Sequence, residues 1–285
     1  MQEAFIPVAI DQDYHRRQKD AEGIFYRKIV SGRYGKDYKS GNTQGFYICT
    51  ASGEFLAYSN HRFPEVALRF IKDGISKYQP SSVAPIKASK NTSNWNPHLV
   101  PPKGGLVIRT NSKVLSGYKK SKNREQSIYQ SAISRDNLWT TKEEHAALVK
   151  GVLMDSLIER ICRFHLVDAT RGSPSFWKKE DFTKIDIRLI NGVITGTISV
   201  ENTSRGWGHT ADILGYIESE NGKVTRFDVI AKGPYWGGGH YSRNPPPGKY
   251  LFGTSFTLAD GSQLSDNIPP EGTKGWPPKY IQMKR

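Results

Sequence analysis

Cysteine is almost missing from this chain: two in 285 residues, Cys49 and Cys162. Two thiols cannot build a disulfide framework, and neither belongs to the C-x-x-C spacing of a redox centre or a zinc site. Both read as structural side chains. Long apolar runs are missing too. Nothing approaches the roughly 18 to 20 residues needed to cross a bilayer, which excludes a transmembrane helix. Met1 leads into an ordered-looking segment without a signal h-region, so the chain as given reads as soluble, unprocessed and cytoplasmic, or extracytoplasmic if its N-terminus is truncated. There is no G-x-S-x-G elbow, no H-E-x-x-H helix and no Walker lysine, and no cofactor is implied. No helix-turn-helix, zinc-finger or RNA-binding signature appears.

Negative charge is scarce in one place only. The formal net charge is +14, and residues 81–135 carry ten lysines and arginines against a single carboxylate. This stretch, with "SSVAPIKASKNTSNWNPHLVPPKGG" and "YKKSKNR", is rich in Ser, Asn and Pro and reads as a basic linker or loop region between two parts. A polyanion is the alternative occupant, but base stacking wants aromatics among the lysines, and only Trp95, Tyr118 and Tyr129 are there. Hydrophobic residues at 36% and aromatics at 11% exclude wholesale disorder. The 27 glycines and 16 prolines suggest many turns and a β-rich body.

Residues 1–80 read strand, helix, strand, strand, helix. "FIPVAI" (5–10) has the length and branching of a buried strand closed by Asp11. Apolar residues from Tyr14 to Val30 recur at helical spacing. "GFYICTASGEFLAYSN" (45–60) is a hairpin turning at Gly53. Pro64 opens a helix whose stripe is Val66, Ala67, Phe70, Ile71, Ile75 and Tyr78. In this order, "FIPVAID" and "GFYICTASGEFLAY" resemble the later part of a thioredoxin-like domain, over about 75 residues. The resemblance implies an incomplete thioredoxin-like βαββα segment. Its redox chemistry has no counterpart here: only four residues precede Phe5, so the C-x-x-C helix is missing, and "NTQG" stands where the family carries a proline before the hairpin. Thiol exchange needs an activated thiolate and a resolving thiol, and Cys49 alone offers neither.

Residues 136–285 read as an α+β, mainly antiparallel β domain. "TTKEEHAALVKGVLMDSLIERICRF" opens with a capping box at Thr140 and Glu143 and predicts one long helix. Asn191-Gly192 and Asn221-Gly222 each sit between alternating runs, the signature of tight hairpins. A further strand pair is expected at 249–258. The later half, with "RFHLVDATRGSPSFW", "RFDVIAKGPYWGGGHYSRNPPPG" and "IPPEG", resembles a domain found beside thioredoxin-like segments in uncharacterised bacterial proteins.

The candidate site lies in two glycine-aromatic segments, "TSRGWGHTAD" (203–212) and "KGPYWGGGHYSRNPPPG" (232–248). Each sets a Trp and a His among glycines: Trp207 with His209, and Trp236 with His240. Glycine lets backbone approach a ligand, Trp offers a platform, and imidazole serves as acid, base or metal ligand. Asp212 and Arg171 complete the set of ligand-binding candidates. The structural alternative is that glycine turns connect strands while the tryptophans cover the core, with Asp168 and Arg171 as an ion pair holding a turn. His165, Asp168, His209, Asp212 and His240 are acceptable metal ligands by type, but no spacing places two on one helical face, so no metal is assigned.

The expectation is therefore a two-part protein: a thioredoxin-like segment without its redox motif, and a β-rich domain that binds a small molecule or protein partner. Two enzyme readings stand as alternatives. One is a thiol-disulfide oxidoreductase relative whose C-x-x-C lies upstream of the given start, and the other a metal-dependent hydrolase using the C-terminal histidines. Whether the protein is an enzyme is left open by the sequence.

Overall fold

The computed structural model describes residues 5–8, 10, 12–16, 18–35, 43–61, 63–80, 100–119, 124–239, 241–242, 244–274 and 277–282. The chain divides into two compact units, 1–96 and 97–285.

In the first unit a helical turn, α1 (Gln12–His15), precedes α2 (Ala21–Tyr34), strands β1 (Phe46–Cys49) and β2 (Phe55–Ser59), and α3 (Pro64–Lys77). The break before α2 has a local cause: the Asp20 carboxylate accepts from the Gly23 amide at 2.9 Å and caps the helix there. Pro64 stands in the first turn of α3, where its missing N–H costs nothing. The strands form an antiparallel hairpin, with Gly53 at φ 82° in the turn. Tyr26, Ile29 and Val30 of α2 are buried, as are Ile48 and Ala57 of the hairpin. Gly74 lets α3 lie against Ile48, since a Cβ there would stand 2.5 Å from that side chain.

The strand expected at 5–10 does not form: its described residues carry no strand, and Ile6 and Val8 are exposed. A strand needs a hydrogen-bonded neighbour, and the sheet described in this unit contains only β1 and β2.

The second unit is built on an antiparallel sheet of seven strands: β3 (Val107–Val114), β4 (Ser134–Trp139), β5 (Phe182–Ile190), β6 (Val193–Asn202), β7 (Trp207–Glu220), β8 (Lys223–Trp236) and β9 (Lys249–Leu258). Their order across the sheet is β4-β3-β9-β8-β7-β6-β5. The tight turns at 191–192 and 221–222 have left-handed residues at both positions, Asn191 φ 50° with Gly192 φ 78° and Asn221 φ 51° with Gly222 φ 74°. Where a strand pair is expected at 249–258 the chain forms one strand, β9.

Two expectations change. The stretch read as a linker, 81–135, contains β3 and helix α4 (Arg124–Ser131); residues 81–99 lie outside the described part. The single long helix is instead α5 (Lys142–Val149), a turn at Gly151 with φ 72°, and α6 (Asp155–Arg160) continuing as a π-helical turn through His165. Its capping box sits one residue later than expected, on Thr141 and Glu144. Leu148, Leu157, Ile161 and Cys162 join Ile198, Ile213, Phe227, Val229 and Phe256 in one buried core. Inside it Glu144 bonds Arg160 at 2.7 Å; both are fully buried, and Arg160 also donates to the carbonyls of Trp139 and Tyr280.

Candidate functional site

Strand alternation decides where the candidates point. On β7, Trp207, His209 and Ala211 face the core, while Gly208, Thr210 and Asp212 face outward. His209 stands opposite Tyr235, Gly208 opposite Trp236 and Asp212 opposite Lys232. The six candidates are therefore not one cluster. Trp207, His209 and Arg171 are sealed inside, at 2%, 0% and 1% exposure, whereas Asp212 and Trp236 lie on the other face. His240 lies outside the described residues.

The inner group is an aromatic stack. Trp207 lies on Trp177, with ring centroids 4.0 Å apart and planes 24° apart, and Tyr235 leans against Trp177 and His209. His209 Nδ1 is 3.0 Å from the Pro234 carbonyl, which can only accept, so Nδ1 carries the proton and Nε2 holds the lone pair. Burial lowers the His209 pKa to about 4, and the imidazole is neutral near pH 7. Nε2 and the indole Nε1 of Trp207 are both buried without a partner among the described residues.

Beside the stack lies a charged knot. Arg171 donates from Nε and Nη2 to Asp168 Oδ2 at 3.0 and 2.7 Å, and from Nη1 to the Ser242 carbonyl at 2.6 Å. Nη2 also reaches the Tyr250 hydroxyl at 3.0 Å, which donates to Asp168 Oδ2 at 3.2 Å. Asp168 Oδ1 accepts from the Thr170 amide and hydroxyl, so both carboxylate oxygens are occupied. Burial raises the pKa values of Tyr235 and Tyr250, keeping both phenols protonated. One buried ion pair thus fastens the 168–171 turn, the end of the glycine loop at Ser242, and β9. The glycines serve this packing: a Cβ on Gly238 would come within 2.6 Å of the Ser242 carbonyl and 3.2 Å of Arg171 Nη1.

Outside, Trp236 covers Gly208, where a Cβ would stand 2.2 Å from the indole. Lys249 Nζ is 4.4 Å from the Trp236 ring centroid, a cation–π contact. Further along the loop Tyr241 is 66% exposed, and Pro246 is buried against Gly117 between exposed Pro245 and Pro247.

The described side chains that are acceptable metal ligands by type are dispersed. His165 bonds the Tyr280 hydroxyl at 2.7 Å and faces Asp136 at 3.3 Å, Asp168 is spent on Arg171, and Asp212 is on the opposite face from His209. Among the described residues no three His, Cys, Asp or Glu side chains are placed to hold a metal. Burial raises the pKa of Cys49 and lifts that of Cys162 to about 12, so neither thiol is activated. The basic stretch is partly neutralised: Arg109 binds Asp260 and Asp266, and Arg135 also binds Asp266. No helix among the described residues is long and apolar enough to cross a membrane.

Tyr235, Tyr250 and Ser242 were not foreseeable as site residues, because each meets Arg171 or His209 only through strand pairing or loop closure, and Trp177 joins them through its stacking on Trp207. The Asp168–Arg171 pair was visible as an i,i+3 couple of opposite charge. No family model, no characterised protein and no solved structure matches this chain.

Proposed function

We propose that the C-terminal unit is a binding module whose contact surface is the loop from Trp236 to Lys249, and that its partner is a macromolecule docking on the rim of the sheet. The observation that carries this is the buried Arg171. A fully desolvated ion pair is costly, and one of its hydrogen bonds goes to the main-chain carbonyl of Ser242, in an otherwise glycine-rich surface loop. The result is a loop tied down at Ser242 that exposes Tyr241 and prolines and lays Trp236 under Lys249. Tyrosine, tryptophan and a pre-ordered backbone are what a protein-binding surface uses. Catalysis has less support, because His209, the neutral imidazole of the set, is sealed from solvent. For the N-terminal unit, the α2–β1–β2–α3 order supports a thioredoxin-like remnant without thiol chemistry, lacking the leading strand of the expected βαββα segment among its described residues.

The reading is tested with a photo-reactive amino acid at position 241 and, as a control, at Glu220 beside the far hairpin turn. In extracts of the source cells, discrete cross-linked species are expected from position 241 alone, and they should disappear in W236A protein of unchanged melting temperature. Identical patterns from both positions, or none from 241, would overturn it.

A further inference from the structure

The two edges of the large sheet are treated differently. At one edge, β4 is overlaid by the C-terminal segment: Asn137 Nδ2 donates to the Ser265 and Ile268 carbonyls at 2.7 and 2.8 Å, Asp136 Oδ1 accepts from the Glu271 amide, and the Trp139 carbonyl accepts from Arg160. At the other edge, β5 takes no further strand among the described residues. Its pairing with β6 is regular from Lys184 to Ile190, with the irregularity confined to the start of the strand. An edge this long, regularly paired on one side and with no further strand on the other among the described residues, is a template for another strand.

The sequence of β5, "KIDIRLI" from 184 to 190, restricts what that strand is. Ile185, Ile187 and Leu189 share the core face, and Ile185 remains 42% exposed because no neighbour covers it. Lys184, Asp186 and Arg188 share the outer face. We infer that β5 is a homodimer interface, pairing antiparallel with β5 of a second copy of this chain about a two-fold axis at Ile187.

In that register Asp186 of each copy faces Arg188 of the other, Ile185 faces Leu189, Lys184 faces Ile190, and Ile187 faces itself. Both charge pairs are attractive and the apolar face of one sheet continues into the next, as an isologous contact requires. Moving the axis to Asp186 or Arg188 places like charges opposite each other. Moving it to Ile185 also gives two attractive pairs, Lys184 with Asp186 in each direction, but leaves Leu189 and Ile190 uncovered. In the single chain, Asp186 and Arg188 make only an exposed contact along their own strand, at 3.0 Å, so exchanging it across the axis costs little.

The test is sedimentation of the full chain with charge reversals on the exposed face. One strand pair buries less than a standard interface, so self-association is expected in roughly the micromolar to sub-millimolar range. Asp186→Arg and Arg188→Asp should each weaken it by about tenfold or more, and the double reversal D186R/R188D should restore it. Hydrogen exchange on the unaltered protein gives an independent reading: amides within 184–190 should gain protection as concentration rises. A chain that stays monomeric at about 0.5 mM, a dimer indifferent to the single reversals, or a double reversal that does not restore association would each overturn the proposal.

Discussion

Arg171 and Asp168 are bound so closely that neither can be altered without stranding the other. Replacing Arg171 by Met leaves the Asp168 carboxylate buried beside phenols and main chain, which should destabilise the fold by roughly 3–5 kcal/mol. Removing both charges in D168N/R171M should cost less than the single change, because no uncompensated charge remains. Urea unfolding midpoints of the three proteins check the order. His209 makes a second prediction. Its pKa is lowered from 6.5 to about 4, so as pH falls below 6.5 the unfolded chain takes a proton that the folded chain refuses. The stability tied to this group is whole above that range and is lost as pH falls toward 4, by about 3 kcal/mol. His209→Phe should remove this part of the acid dependence, measured as a flatter fall of unfolding free energy with pH than in the unaltered protein.

At the scale of elements, glycines mark where backbone geometry overrides side-chain preference. Gly222 lies at φ 74° with open space around it, so Gly222→Ala should cost only the conformational penalty, roughly 1 kcal/mol. Gly192 has the same role at φ 78°, but a Cβ there meets the Ile217 carbonyl at 3.0 Å, and Gly192→Ala should cost measurably more. Comparing the two melting temperatures decides this. Gly208→Val should lift Trp236 off the sheet and change its fluorescence, since the new side chain occupies the indole's place. These hairpins were legible because Asn-Gly fixes a turn locally. Strand β3 was not: its inward residues are Ile108, Thr110, Ser112 and Val114, and the hydroxyls hide the alternation that burial reveals. The run at 5–10 failed the opposite way, because apolar content says nothing about whether a partner strand exists. The division of the candidate site was readable from parity, since His209 and Asp212 are three apart on one strand and must face opposite ways. The meeting of Arg171 with Tyr250 was not, because 79 residues separate them.

For the whole molecule, the two units differ in how much core each can bury. Residues 97–285 contain the seven-stranded sheet, its helices, and two buried ion pairs, Glu144–Arg160 and Asp168–Arg171. Among the described residues, 1–96 contain a two-stranded hairpin, a helical turn and two 14-residue helices around Tyr26, Ile29, Val30, Ile48 and Ala57, while Ile6, Val8, Ile24, Phe46 and Leu68 remain exposed. A two-stranded sheet is marginal by itself, and the small core has little to set against the entropy of ordering the chain. Expressed separately, 97–285 should therefore unfold in one cooperative transition. The fragment 1–96 should melt broadly or bind a hydrophobic dye, its exposed apolar residues being the cause. Circular dichroism melts and dye fluorescence of the two fragments measure this directly. A sharp, dye-negative transition for 1–96 would mean that its helices and hairpin are self-sufficient, and the exposed residues would then need a different account from an unfilled core.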